Sequence, residues 1–114
     1  MQGRRELLLE FVYLDLFERT ARGMLTDEDL VALEWRLIAN PRAGVLERHC
    51  GGVRKTRVGR QGMGRRGGAR VIYLYVERRA RVYLLLAFPK SRQAVMSPEE
   101  RGTVRALAER IRRE

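Results

Sequence analysis

Two runs near the middle of the chain, Ala69 to Glu77 and Arg81 to Phe88, constrain its fold more than any other feature. Both have strand length and are rich in Val, Ile, Leu and Tyr, and only Arg78-Arg79-Ala80 separates them. A gap that short joins antiparallel strands and leaves no room for a crossover helix. The longest apolar run, Val82 to Pro89, fits a buried strand and falls well short of the ~18–20 residues that span a bilayer.

The hairpin decides how to read the glycines before it. Gly62-Met63-Gly64-Arg65-Arg66-Gly67 is a literal G-x-G-x-x-G, the fingerprint of a dinucleotide site. That site needs a strand before the glycines and a helix after them, so that the pyrophosphate meets a helix N-terminus. Here a strand follows, so the dinucleotide reading fails. Gly59 to Gly68 reads instead as a glycine- and arginine-rich loop between Val53–Val58, a short basic strand, and the hairpin.

The remaining elements follow from pattern. Glu10 to Phe17 alternates like a strand. Thr26 caps a helix whose first turn holds Asp27, Glu28 and Asp29, and whose apolar stripe is Leu30, Leu33 and Leu37, widened by Val31, Trp35 and Ile38. Asn40-Pro41 ends it. Ser97-Pro98-Glu99-Glu100 opens a last helix with Val104, Leu107, Ala108 and Ile111 inward. At 114 residues, with neither repeat nor linker, the expectation is one domain over residues 1–114. The lone Cys50 leaves no disulfide framework, and Glu10 and Asp15 interrupt the N-terminal apolar stretch, making it a poor secretory signal. Both point to a cytoplasmic protein.

Charge narrows the function. The chain carries 24 Lys+Arg against 14 Asp+Glu, a net charge of +10. Between Gly51 and Arg81 stand ten basic residues and one acid, Glu77. Such a block is the footprint of a partner rich in phosphate. Lys55 and Arg57 are two apart in a strand and share a face, and the hairpin brings Arg70 toward them. Arginine offers a planar fork to a phosphodiester, and lysine a point charge. Lys55 and Lys90 are the two lysines of the chain and the basic groups best able to move a proton. One histidine, His49, cannot supply a two-histidine acid/base pair, and metal ligands are too few for a metal site. Arg54, Arg60, Arg65 and Arg66 are placed to bind RNA phosphate, and Tyr73 is a candidate for base stacking. Which face of the hairpin meets the helices stays open, because Arg70 shares the side of Ile72, Leu74 and Val76 while Tyr73 and Tyr75 point the other way.

Taken together, Gly51-Gly52-Val53-Arg54-Lys55-Thr56-Arg57-Val58, Gly64-Arg65-Arg66-Gly67-Gly68-Ala69-Arg70-Val71-Ile72-Tyr73 and Leu84-Leu85-Leu86-Ala87-Phe88-Pro89-Lys90 resemble the RelE/HigB toxins of bacterial type II toxin–antitoxin modules. Leu25-Thr26-Asp27-Glu28-Asp29-Leu30, Asn40-Pro41-x-x-Gly44 and Ser97-Pro98-Glu99-Glu100-Arg101 fit the same pattern, which spans about residues 10 to 110. The resemblance implies a small α+β domain, with helices packed on a twisted antiparallel β-sheet and a C-terminal helix. It implies an mRNA endoribonuclease (an mRNA interferase) acting at the ribosomal A site by 2′-OH attack without a metal or cofactor. It further implies a cognate antitoxin with a helix-turn-helix domain, and operator DNA bound by the complex of the two. Matching positions make Lys55, Arg57, Arg70 and Lys90 the catalytic candidates. Phe88-Pro89-Lys90 stands where the family often has Tyr-Gly-Lys, so one hydroxyl is missing. The same superfamily includes gyrase poisons of the ParE branch and non-catalytic relatives, which form the alternative reading.

Overall fold

The paired runs form the centre of the fold. In the computed structural model, which describes residues 8–60, 64–90 and 95–114 and gives backbone alone at 60 and 64–67, they become β4 (Gly64–Val76) and β5 (Arg81–Pro89). A single 3-10 turn, Glu77–Arg79, joins them, and Ala80 completes the reversal in the left-handed region at φ 53°. Before them come β1 (Glu10–Tyr13), α1 (Asp15–Ala21), α2 (Asp27–Ala39), β2 (Val45–Leu46) and β3 (Arg54–Arg60), and α3 (Pro98–Arg113) follows. The sheet has five strands in the order β1-β5-β4-β3-β2.

Three sequence expectations need correction. The sheet is mixed rather than wholly antiparallel, because β1 lies parallel to β5, with Glu10 beside Arg81 and Tyr13 beside Leu84. The alternation from Glu10 to Phe17 holds only to Tyr13. Leu14 then caps α1, whose buried residues Phe17 and Ala21 are one helical turn apart. Finally, most of the glycine-rich segment is strand. β3 runs to Arg60 and β4 starts at Gly64, with Arg60 opposite Gly64. Residues 61–63 lie outside the described part.

Both faces of the sheet are covered, which resolves the ambiguity of the hairpin. Val71, Tyr73, Val82, Leu84 and Ala87 pack against Phe17 and Ala21 of α1 and Leu33 and Leu37 of α2. Ile72, Leu74, Leu85, Leu86 and Phe88 pack against Val104, Ala108 and Ile111 of α3. Leu85 and Leu86 are adjacent yet share a face, because the pairing of β4 with β5 slips between Ile72 and Tyr73. Both long helices begin at the expected caps, Thr26 and Ser97, and each forms a full capping box, Ser97 with Glu100 as the sequence indicated and Thr26 with Asp29. Of the α2 stripe, Leu33 and Leu37 are buried, whereas Val31 and Trp35 stand exposed.

The double glycine fits α3 to the sheet. Gly51 and Gly52 have φ of 76° and 92°, which side chains rarely adopt. A Cβ on Gly51 would meet the Ala108 Cβ at 2.8 Å, and one on Gly52 would enter the Arg112 guanidinium. At the far end of α3, Arg79 donates to the Ile111 carbonyl at 2.9 Å and to that of Glu114, and Arg78 donates to that of Arg112 at 3.0 Å. Carbonyls left over at a helix C-terminus thereby gain cationic donors from the β4–β5 turn.

Candidate nucleic-acid interface

Strand register brings the basic candidates together. Val53 packs toward α3, so Lys55 and Arg57, two and four residues on, project from the same side. Arg57 lies directly opposite Arg70 on β4, and Arg70 lies opposite Phe88 on β5. Lys90 follows two residues after Phe88. Its N–H donates to the Gly68 carbonyl at 2.9 Å, and its stem runs so close over Gly68 that a Cβ there would meet Lys90 Cδ at 3.1 Å. Lys55, Arg57, Arg70 and Lys90 therefore form a band across β3, β4 and β5 on the α3 side of the sheet.

The electrostatics of the band are uneven. Arg57 is exposed and Arg70 half-buried. Like charges directly opposite one another destabilise an antiparallel pair, so Arg57 and Arg70 stand in a costly arrangement. Arg70 Nη1 is buried and finds no hydrogen-bond partner among the described residues. Buried donors are rarely left so, and the exceptions call for an explanation. Lys55 differs: its Nζ lies 3.2 Å from Glu47 Oε2, with both side chains largely shielded from solvent. The other oxygen of Glu47 is 3.4 Å from Arg101 Nη1 on α3, so this one carboxylate links the band to the C-terminal helix.

The other candidates separate from the band. Arg54 projects to the opposite side, toward α2, where its Nη1 donates to the Gly44 carbonyl at 2.8 Å. Tyr73 is fully buried and so has no free ring face for a base. Its hydroxyl donates to the Pro41 carbonyl at 2.7 Å and accepts from the Gly44 N–H at 2.9 Å, pinning the Asn40–Gly44 turn against the sheet. Burial holds its phenol above the ordinary value. The side chains of Arg60, Arg65 and Arg66 lie outside the described part. Cys50 is a core residue beneath α3, with burial pushing its thiol up, and its neighbour His49 sits in the left-handed region at φ 55°.

Sequence reasoning missed Glu47 and Arg36. Arg36, on α2, donates to the Thr56 hydroxyl and, at 2.7 Å, to the Arg57 carbonyl, so it fixes the backbone of β3 from the opposite face. Its place in the last turn of α2 gives no sequence signal beyond that of a basic residue at a helix end. Glu47 gave one signal, an acid shortly before a basic strand.

The geometry is that of a small α+β domain with two arginines facing each other across the paired strands β3 and β4. Over residues 12–113 the chain matches the family model of the RelE toxin of the RelE/RelB toxin–antitoxin system. The chain belongs to this family, which implies an antitoxin as its partner. Its fold is similar to that of a double arginine-to-alanine mutant of the E. coli toxin RelE in the free state. The TM-score is 0.55, the identity 14%, and the match covers 87% of this chain and 95% of that one. No helix among the described residues is long and apolar enough to cross a membrane.

Proposed function

We propose that this toxin is a ribosome-dependent mRNA endoribonuclease, with Lys55, Arg57, Arg70 and Lys90 as its catalytic residues. The observation that carries the reading is Arg70 Nη1, buried and without a hydrogen-bond partner among the described residues, on the residue directly across the strand pair from Arg57. A phosphodiester between the two guanidiniums satisfies that donor and relieves their repulsion together. In the reaction the ribose 2′-OH gives up its proton, its oxygen bonds to phosphorus, and the bond to the 5′ oxygen of the next nucleotide breaks. That oxygen then takes a proton. Arg57 and Arg70 hold the oxygens on which negative charge grows, a role that is strongest in a partly buried site. Lys55 and Lys90 flank them as the groups able to move protons, and the phosphate competes with Glu47 for Lys55.

Single-turnover cleavage of ribosome-bound mRNA tests this. Arg70→Ala should lower the rate by about 10²–10³-fold, the scale seen when one preorganised donor is removed. If Lys55 is the base, Lys55→Arg should lose about as much as Lys55→Ala; if it acts as a charge alone, arginine should retain much of the rate. Wild-type protein that binds programmed ribosomes and leaves the mRNA intact would overturn the proposal in favour of a non-catalytic toxin.

A further inference from the structure

At the other end of the sheet lies a second basic site. A cavity of about 470 Å³ opens where β3 begins and β4 ends, and Arg42, Arg54, Arg78 and Arg112 line it together with a single acid, Glu77. Arg70 and Val76 are six residues apart on β4, so the cavity lies roughly 20 Å from the Arg57–Arg70 pair at about 3.3 Å per residue.

The four guanidiniums come from four separate parts of the chain, and each is held by a specific bond. Arg54 is tied to the Gly44 carbonyl at 2.8 Å, Arg78 to that of Arg112 at 3.0 Å, and Arg112 to that of Gly51 at 2.9 Å. Arg42 lies over the Tyr75 ring, 5.2 Å from its centroid, and reaches Glu77 at 2.7 Å. The Arg112 guanidinium occupies the space that a Cβ on Gly52 would take. A guanidinium has five N–H donors, and these bonds use one or two of each. The fold thus fixes four cations around one hollow against their mutual repulsion, with one carboxylate to offset them.

We propose that this cavity is a phosphate-binding site, separate from the catalytic band, that takes a backbone phosphate of RNA. The proposal rests on the RNA-directed reading above, though not on cleavage. An acidic peptide is the competing occupant. Peptide docking draws on apolar anchors seated in pockets, and here the lining offers Leu46, Val76 and a Tyr75 ring already covered by the Arg42 guanidinium. A phosphate needs only the forked donors.

The test is the affinity for a single-stranded RNA oligonucleotide carrying 2′-O-methyl groups, which cannot be cleaved by 2′-OH attack, measured across salt concentrations. The double variant Arg42→Ala/Arg112→Ala should bind about tenfold more weakly. Its slope of log affinity against log salt should fall by about 0.7, the contribution of one phosphate on a single strand. Glu77→Gln should move the other way and tighten binding by about two- to threefold. Glu77 is 71% exposed, so this variant keeps its fold even if the double variant does not. RNA affinity unchanged in Glu77→Gln would overturn the proposal, and so would loss of antitoxin binding in the double variant with RNA binding intact. Cleavage by the wild type, read separately, decides the catalytic reading whichever way this result falls.

Discussion

Tyr73 shows how a residue type can be right for two roles and the fold can choose one. Its phenol closes the turn after α2 with one hydrogen bond that is buried and one that is partly buried. Tyr73→Phe should destabilise the protein by about 1–3 kcal/mol, because the Gly44 N–H and the Pro41 carbonyl lose their partner. Denaturant unfolding measures this. The same burial gives an alkaline signature. Burial raises the phenol of Tyr73, and burial followed by Glu34 raises that of Tyr13, both from an ordinary value of 10.0. A raised phenol keeps its proton in the folded state while the unfolded chain releases it. The contribution is therefore complete below pH 10 and falls as pH climbs toward the folded values. Stability should decline above about pH 10, and less steeply in Tyr73→Phe. The pairing of Lys55 with Arg57 was legible from a period of two, and Arg70 from the hairpin. Glu47 was not, because its approach to Lys55 depends on the turn through His49, Gly51 and Gly52, whose positive φ angles no periodicity records.

At the scale of elements, local signals fared best. Both capping boxes and the β4–β5 reversal lie within a few residues of their cause. The failures came from pairing at a distance. Glycine is a poor strand former, yet Gly64, Gly67 and Gly68 lie in β4 as it pairs with its neighbours. The eight residues from Glu10 to Phe17 alternate well enough to hide a helix start, since Ala21 supplies the helical period only after that window closes. The α3 seat offers a direct test. Gly51→Ala forces a side chain onto Ala108 in a conformation side chains avoid, and should cost about 2–4 kcal/mol by combining overpacking with backbone strain. Thermal unfolding of the purified variant reads it. A shift no larger than that of Gly102→Ala, which meets nothing within 4 Å, would mean that α3 is seated some other way.

Across the whole molecule the +10 charge governs association. Affinity for ribosomes should fall steeply as salt rises, and the antitoxin segment that covers the basic band should be acidic or amphipathic. Co-expression of the toxin with the product of the adjacent gene should yield a stable complex. Purification at two salt concentrations should show that this complex tolerates salt better than the RNA complex does, because apolar burial supports it as well.

The parallel edge strand also bears on how the molecule comes into being. Glu10 and its partner Arg81 are 71 residues apart in the chain. At about 5–20 residues per second, β1 emerges roughly 4–14 seconds before the strand it must lie against. Long-range pairing of this kind is also slow once possible. The basic band proposed as catalytic is drawn from β3, β4 and β5, and Lys90 follows the last of them. A chain interrupted before Arg81 therefore has neither a partner for its first strand nor a complete band, and one interrupted between Leu84 and Lys90 can dock that strand yet still lacks Lys90, so prematurely terminated products of this toxin should be inert rather than partly active.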